Sequence, residues 1–273
     1  MPSTLSNSIM LQTDECEALL GNANVLPIFV GSEEAFLAGH IPGSALIRPK
    51  DIVCGVAPAT GKLPDADDLA DLFSRIGLTP ETIVIAYDDE GGGWAGRLIW
   101  TLDVIGHTHY HYLDGGSIAW LAEGRASTTT AQAINPSDYA ITIDRSQLIT
   151  ADAIIAALDK PDFIVWDARS AEEHAGTKVL AAKGGHIPGA ANLDWLDLID
   201  RTNHSRLKPL DEIKQMLAER NIANSKAIVT HCQTHHRSGL TYLVGKILGL
   251  NIKAYDGSWS EWGNLEHTPV NTL

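Results

Sequence analysis

The chain contains itself twice. GHIPGS at residues 39–44 returns as GHIPGA at residues 185–190, with five of six letters shared. AYDDEGGGWAGRLIW (86–100) can be laid against VTHCQTHHRSGLTYL (229–243), and LDGGSIAW (113–120) against YDGSWSEW (255–262). His40 to His186, Ala86 to Val229 and Leu113 to Tyr255 are 146, 143 and 142 residues apart. Three matches in one order at nearly constant spacing describe a duplicated domain and exclude a short-period solenoid. A length of 273 residues accommodates two domains of about 100–150 residues each. The join belongs where the chain turns polar, in RASTTTAQAINPSDYA (125–140), with its Thr run and Asn-Pro. The expected layout is residues 1–125, a linker at 126–144 and residues 145–273.

Within each copy, short β-branched runs alternate with helical spacing. LPIFV (26–30), TIVIA (82–86), FIVW (163–166) and AIV (227–229) read as buried strands. DDLADLF (67–73) and LDEIKQML (210–217) carry apolar residues at helical intervals. Strand then helix, repeated, predicts an α/β domain with a mostly parallel sheet flanked by helices. In such sheets ligands bind beyond the carboxyl ends of the strands.

The stretch HCQTHHRSG (231–239) stands at one of those ends, between the strand-like AIV and the helix-like LTYLVGKILG. A cysteine ending a strand and opening a loop into a helix lies beside unsatisfied backbone N–H groups and the positive end of the helix dipole. That setting favours the thiolate of Cys232. Arg237 and any protonated imidazole among His231, His235 and His236 would favour it further, and consecutive loop amides form a concave anion site. Cys232 is the candidate nucleophile, and Gln233, Thr234, His235, His236 and Arg237 are the candidate substrate-binding residues. The alternative is a packed structural thiol beside surface histidines.

Charge sharpens the contrast between this loop and its surroundings. With 34 acidic against 20 basic residues the chain carries −14 and repels nucleic acid and anionic lipid, so a small anion needs a local reversal of the field. No apolar run approaches 18 residues, and the N-terminal MPSTLSNSIM lacks the basic start and apolar segment of a signal peptide, so a cytoplasmic location and no membrane partner are expected. Three cysteines without close spacing, Cys16, Cys54 and Cys232, read as free thiols. The histidines of the loop have no carboxylate or cysteine partner at ligand spacing, and no metal is expected.

The first copy supplies an internal comparison. Where the second has His231-Cys232-Gln233, the first has Asp88-Asp89-Glu90 followed by three glycines and Trp94. Three carboxylates there would repel an anion and offer no sulfur, so chemistry is expected in the second copy alone, at the interface between the copies. His40 and His186 occur in both copies and read as architectural. Asp167 and Arg169 read as a buried ion pair, and Trp195 as core or interface packing, with a place facing the Cys232 loop as the alternative.

The duplicated GHIPG, Asp167-Ala168-Arg169-Ser170 after a strand, the six-residue loop from Cys232 to Arg237 and the closing GSWSEW (257–262) together resemble the tandem-domain rhodanese family of sulfurtransferases. The loop CQTHHR is similar to that of the Azotobacter-type bacterial rhodaneses. The resemblance implies two tandem rhodanese-like domains and no cofactor. It also implies a double displacement in which the Cys232 thiolate takes the outer sulfur of a donor such as thiosulfate and passes it to a thiophilic acceptor such as cyanide. The partners expected are a small anionic donor and that acceptor, with a protein sulfur acceptor in addition, and a monomer suits two pseudo-equivalent domains.

Two other readings stand beside it. One is a rhodanese-like phosphatase, whose loop would have five residues between Cys and Arg where this one has four. The other is a non-catalytic sulfur carrier or binding module. The sequence also departs from the vertebrate enzymes. Four residues beyond Arg169, where they carry an anion-binding arginine, stands Glu173. That carboxylate argues against mercaptopyruvate as donor.

Overall fold

The computed structural model describes residues 8–273. The first seven residues, which the expected first domain and the reading of the N-terminus include, lie outside the described residues. The first copy runs β1 (Met10–Leu11), α1 (Thr13–Leu19), β2 (Val25–Val30), α2 (Glu33–Ala38), β3 (Ala45–Ile47), α3 (Ala66–Arg75), β4 (Ile83–Tyr87), α4 (Gly93–Val104), β5 (Tyr110–Leu113) and α5 (Gly116–Ala122). The second opens with α6 (Ala151–Ile155), β6 (Phe163–Asp167), α7 (Ala171–Ala175), β7 (Ala191–Asn192), β8 (Ile199–Asp200) and β9 (Arg206–Leu207). It closes with α8 (Leu210–Glu219), β10 (Ala227–His231), α9 (Arg237–Ile247), β11 (Ile252–Ala254) and α10 (Ser258–Trp262).

Each copy builds a parallel sheet. The first has order β1-β5-β4-β2-β3 and the second β11-β10-β6-β7, with every neighbouring pair parallel. The place of β1 is taken in the second copy by a single parallel bridge from Leu148 to Ala254. Helices cover both faces, which is why Ile28, Val84, Ile85, Val165, Ile228 and Val229 are all buried although they alternate sides. The β6–β10 register aligns His231 with Asp167 at the carboxyl edge, where the loop after β10 begins.

The two GHIPG turns do the same structural task. His40 stacks on Phe36 at 3.6 Å and bonds its carbonyl through Nδ1 at 2.7 Å. His186 stacks on His174 at 3.8 Å and bonds that residue's carbonyl at 2.8 Å. Each turn pairs antiparallel with a later segment, His40 with Thr128 and His186 with Asn271. Gly43 and Gly189 hold φ of +83° and +74°, which only glycine adopts at no steric cost.

The copies meet where α4 crosses α9. Gly96 and Gly239 occupy the same place in the repeat, and the backbones touch there. A Cβ on Gly96 would fall 2.2 Å from the Gly239 carbonyl oxygen, and one on Gly239 2.3 Å from that of Gly93. This close approach makes one apolar cluster continuous from Val84, Leu98 and Leu102 through Leu240 and Leu243 to Ile228 and Ile252. Residues 126–144 contain no regular element, yet the segment is strapped to the first copy. Ser137 N–H donates to the Ser74 carbonyl at 2.9 Å, and the Tyr139 ring packs edge-on against Phe73. Among the described residues no helix is long and apolar enough to cross a membrane.

Candidate active site

β10 leads into Cys232, the next four residues turn, and α9 starts at Arg237. The outer side of the turn is pinned by α10. Trp259 N–H donates to the Cys232 carbonyl and Ser260 N–H to the Gln233 carbonyl, both at 2.9 Å. His235 takes the left-handed conformation, φ +56°, a costly choice for a residue with a Cβ. With the carbonyls held outside, the N–H groups of residues 233–237 find no acceptor among the described residues, which is the condition of an anion cradle.

Cys232 is 1% exposed, and its Sγ accepts a hydrogen bond from the Ser238 hydroxyl at 3.4 Å. Burial by itself pushes this thiol's pKa up. The Arg237 charge, the hydroxyl and N–H of Ser238 and the His236 charge outweigh burial, and the net shift is downward. Cys16, buried in α1 without such donors, is pushed up to about 12, chiefly by burial. Cys54 lies half-buried in the loop after residue 52, and all three thiols are free.

Two of the three histidines are kept neutral by burial. His231 is fully buried, which is the main reason its pKa falls to about 4, and His235 is held well below the usual value by burial, then by Arg97 and His236. Neither carries charge near neutrality, so the positive potential at the sulfur does not come from them. Arg237 is the principal source, and it is bidentate to Glu173 at 2.6 and 2.8 Å. Glu173, the carboxylate that replaces the vertebrate arginine, therefore anchors the loop's own arginine.

The Gln233, His235 and His236 side chains are engaged away from the cradle. Gln233 donates to the Leu180 carbonyl at 3.1 Å, and the Thr234 backbone lies under Gly61 of the first copy, where a Cβ would fall 2.1 Å from its carbonyl oxygen. His235 is buried against Trp100, their rings edge-on at 4.6 Å. His236 bonds the Glu90 carboxylate through Nε2, stacks on Trp94 at 4.3 Å and leans on Trp195 at 5.5 Å. Around the sulfur the loop offers its backbone N–H groups, joined by the Ser238 hydroxyl and the Arg237 charge. Trp195 thus packs against the loop itself, which joins the two placements open to it from the sequence.

Behind the loop, Asp167 receives Arg169 at 2.7 and 2.9 Å and His174 at 2.9 Å, and the Arg169 guanidinium lies 4.1 Å over Trp259. Burial would raise the Asp167 pKa, but His231, His174 and Arg169 hold it far below the usual carboxylate range. This buried ion pair braces the edge of the sheet. Among the described residues no cluster of three His, Cys, Asp or Glu side chains stands at metal-ligand spacing.

The loop of the first copy is closed from within. Asp88, in the place of His231, is buried and accepts N–H bonds from Glu90, Gly91 and Gly92 on Oδ1 at 3.2, 3.2 and 2.9 Å, and from Ala95 on Oδ2 at 3.0 Å. Burial, then Glu90, raises its pKa to about 6 against the pull of those amides. The three carboxylates are thus not a common repulsive surface. Asp88 fills the cradle, and Glu90 turns outward to His236.

Sequence reasoning missed Ser238, Glu90, Gly61 and the pair Arg97 and Trp100. A hydroxyl directly after Arg237, at the start of a helix, was the available signal for Ser238. The other four act across the interface, and no spacing within one copy points to them.

A family model described as "Rhodanese-like domain" matches residues 12–123 and 150–265. The chain is 44% identical over 271 residues to the thiosulfate sulfurtransferase of Azotobacter vinelandii, covering 99% of each. It is 44% identical over 263 residues to that of Pseudomonas aeruginosa, covering 96% of each. The anaerobic ergothioneine biosynthesis enzyme of Chlorobium limicola, solved with trimethyl histidine, has the same fold. Its TM-score is 0.86 at 20% identity, over 97% of this chain and 70% of that one.

Proposed function

Since the chain belongs to the rhodanese family, with two rhodanese-like domains in tandem, we propose that it transfers sulfane sulfur through a persulfide on Cys232. The thiolate attacks the outer sulfur of a donor such as thiosulfate. The donor's S–S bond breaks, and sulfite leaves with the electron pair. The terminal sulfur of the persulfide is anionic and takes the N–H groups of Gln233, Thr234, His235, His236 and Arg237 as donors. A thiophile such as cyanide then attacks that sulfur, and the electrons of the Cys–S bond return to Cys232. No outside oxidant or reductant enters, and no cofactor is needed.

The observation that carries this reading is the group of unpartnered loop amides around a buried cysteine whose pKa is lowered. A phosphate would ask for a wider cradle than four residues between Cys232 and Arg237 provide. The first copy, residues 1–125, takes no covalent part, because Asp89 replaces the cysteine and Asp88 occupies the amides. Residues 126–144 link it to the catalytic copy, residues 145–273. One chain assembles the whole site, which supports a monomer, and three free thiols suit a reducing cytoplasm where a protein thiol is also an acceptor.

The test is intact-protein mass spectrometry. Thiosulfate should add one sulfur atom to Cys232, cyanide should remove it, and Cys232→Ala should show neither change. An adduct that persists in Cys232→Ala, or none in the native protein, overturns the assignment.

A further inference from the structure

The His235 side chain reaches no solvent. Its Nδ1 lies 2.7 Å from the Ser238 hydroxyl, which donates its hydrogen to Cys232 Sγ at 3.4 Å. A hydroxyl has one hydrogen to give. Because Ser238 gives it to sulfur, its oxygen must accept from His235, so Nδ1 carries the imidazole proton and Nε2 is bare.

The reason for that tautomer stands in the first copy. Trp100 meets His235 edge-on, and the Arg97 guanidinium lies 4.7 Å over the Trp100 ring. Arg97 is fully buried, with Nη1 and Nη2 on the carbonyls of Gly61 and Ile52, both at 2.7 Å, and no carboxylate among the described residues within hydrogen-bonding reach. Arg97 Nε, Trp100 Nε1 and His235 Nε2 are all buried without a partner among the described residues. On the Arg97 and Trp100 side the free groups are N–H donors and a permanent positive charge. Such surroundings favour a lone pair on Nε2 and oppose a second proton on the ring.

Resting on the reading that Cys232 is the nucleophile, we propose that His235 is a positioning residue. Arg97 and Trp100 of the first copy fix its tautomer, and through Ser238 it keeps a hydrogen bond directed at the reacting sulfur. The loop histidine thus works by its side chain as well as by its amide, and the non-nucleophilic copy contributes to the chemistry by holding a proton in place. The depressed His235 pKa, caused by burial and then Arg97, agrees with a ring that stays neutral.

The test is the pH dependence of Cys232 alkylation by iodoacetamide in the full-length protein, which needs no sulfur donor. The charged and titratable groups facing the sulfur are Arg237 and His236 from its own loop and Arg97 from α4. Those facing His235 are Arg97 and His236. Asparagine places its amide nitrogen where Nδ1 was, whereas glutamine reaches toward Nε2. His235→Asn should keep the native profile within about twofold. His235→Gln and Ser238→Ala should shift it upward, with about tenfold less thiolate at pH values below the transition. Equal profiles for the asparagine and glutamine variants, or an unmoved profile in Ser238→Ala, overturn the proposal.

Nitrogen NMR of the native imidazole gives a reading that needs no variant. A proton on Nδ1 is expected, and one on Nε2 refutes the relay. Failure of the sulfur-transfer reading looks different, since the native protein would then lack a thiosulfate adduct while its alkylation profile still depended on Ser238.

Discussion

Cys232 and Asp89 hold the same place in two versions of one loop, and the residue before each decides what the loop receives. Asp88 turns inward and takes four amides. His231 turns instead to the side, with Nδ1 on the Cys232 carbonyl at 3.1 Å and Nε2 3.7 Å from Asp167, and leaves the second set of amides open. The burial that permits this carries a pH signature. Below its ordinary pKa of 6.5 the unfolded chain protonates this histidine, while the folded chain waits until about pH 4. The stabilisation is complete above pH 6.5 and falls by about 3 kcal/mol as pH drops through that window. Asp88 runs the other way, because its raised pKa makes the folded state bind a proton first. The difference between proteins is therefore the measurement. Urea unfolding at about pH 7 and about pH 4.5 should show His231→Asn losing less stability than the native chain. Equal losses would move the sensitivity to other groups.

At the scale of elements, the crossing of α4 on α9 is set by absent side chains. Alanine at position 96 would gain about 1 kcal/mol of helix propensity. A methyl group 2.2 Å from a carbonyl oxygen of the partner helix cannot be housed without parting the helices, which costs several times more. Gly96→Ala should lower stability by about 2 kcal/mol or more, read from its urea midpoint, and an unchanged midpoint would show a looser crossing. Gly61→Ala should act differently. Its methyl group would strike the Thr234 backbone, so persulfide formation should slow by about a hundredfold while the thermal midpoint changes little.

Much of this architecture was readable in advance and some was not. The runs at 26–30, 82–86, 163–166 and 227–229 mark β2, β4, β6 and β10 within a residue or two because buried parallel strands need unbroken apolar stretches. GGGWAGRLIW at the start of α4 is apolar on nearly every side, a sign of burial all round. Periodicity says how much of a helix is covered and never by what. For that reason Gly61, Glu90 and Arg97 could not be assigned to the Cys232 loop from the sequence.

At the scale of the molecule, the copies share one core and one site, so neither has an independent reason to stay folded when the other opens. Calorimetric and van't Hoff enthalpies of unfolding should agree in a single transition, and two resolved steps would argue against that coupling. The inward carboxylate of Asp88 has a consequence for anyone rebuilding the chain. A sulfhydryl installed by Asp89→Cys would arrive in a receptor already saturated by its neighbour and would rest beside a buried acid, protonated and inert. Only a paired exchange, with position 88 made small and neutral as well, would give one polypeptide two working chambers.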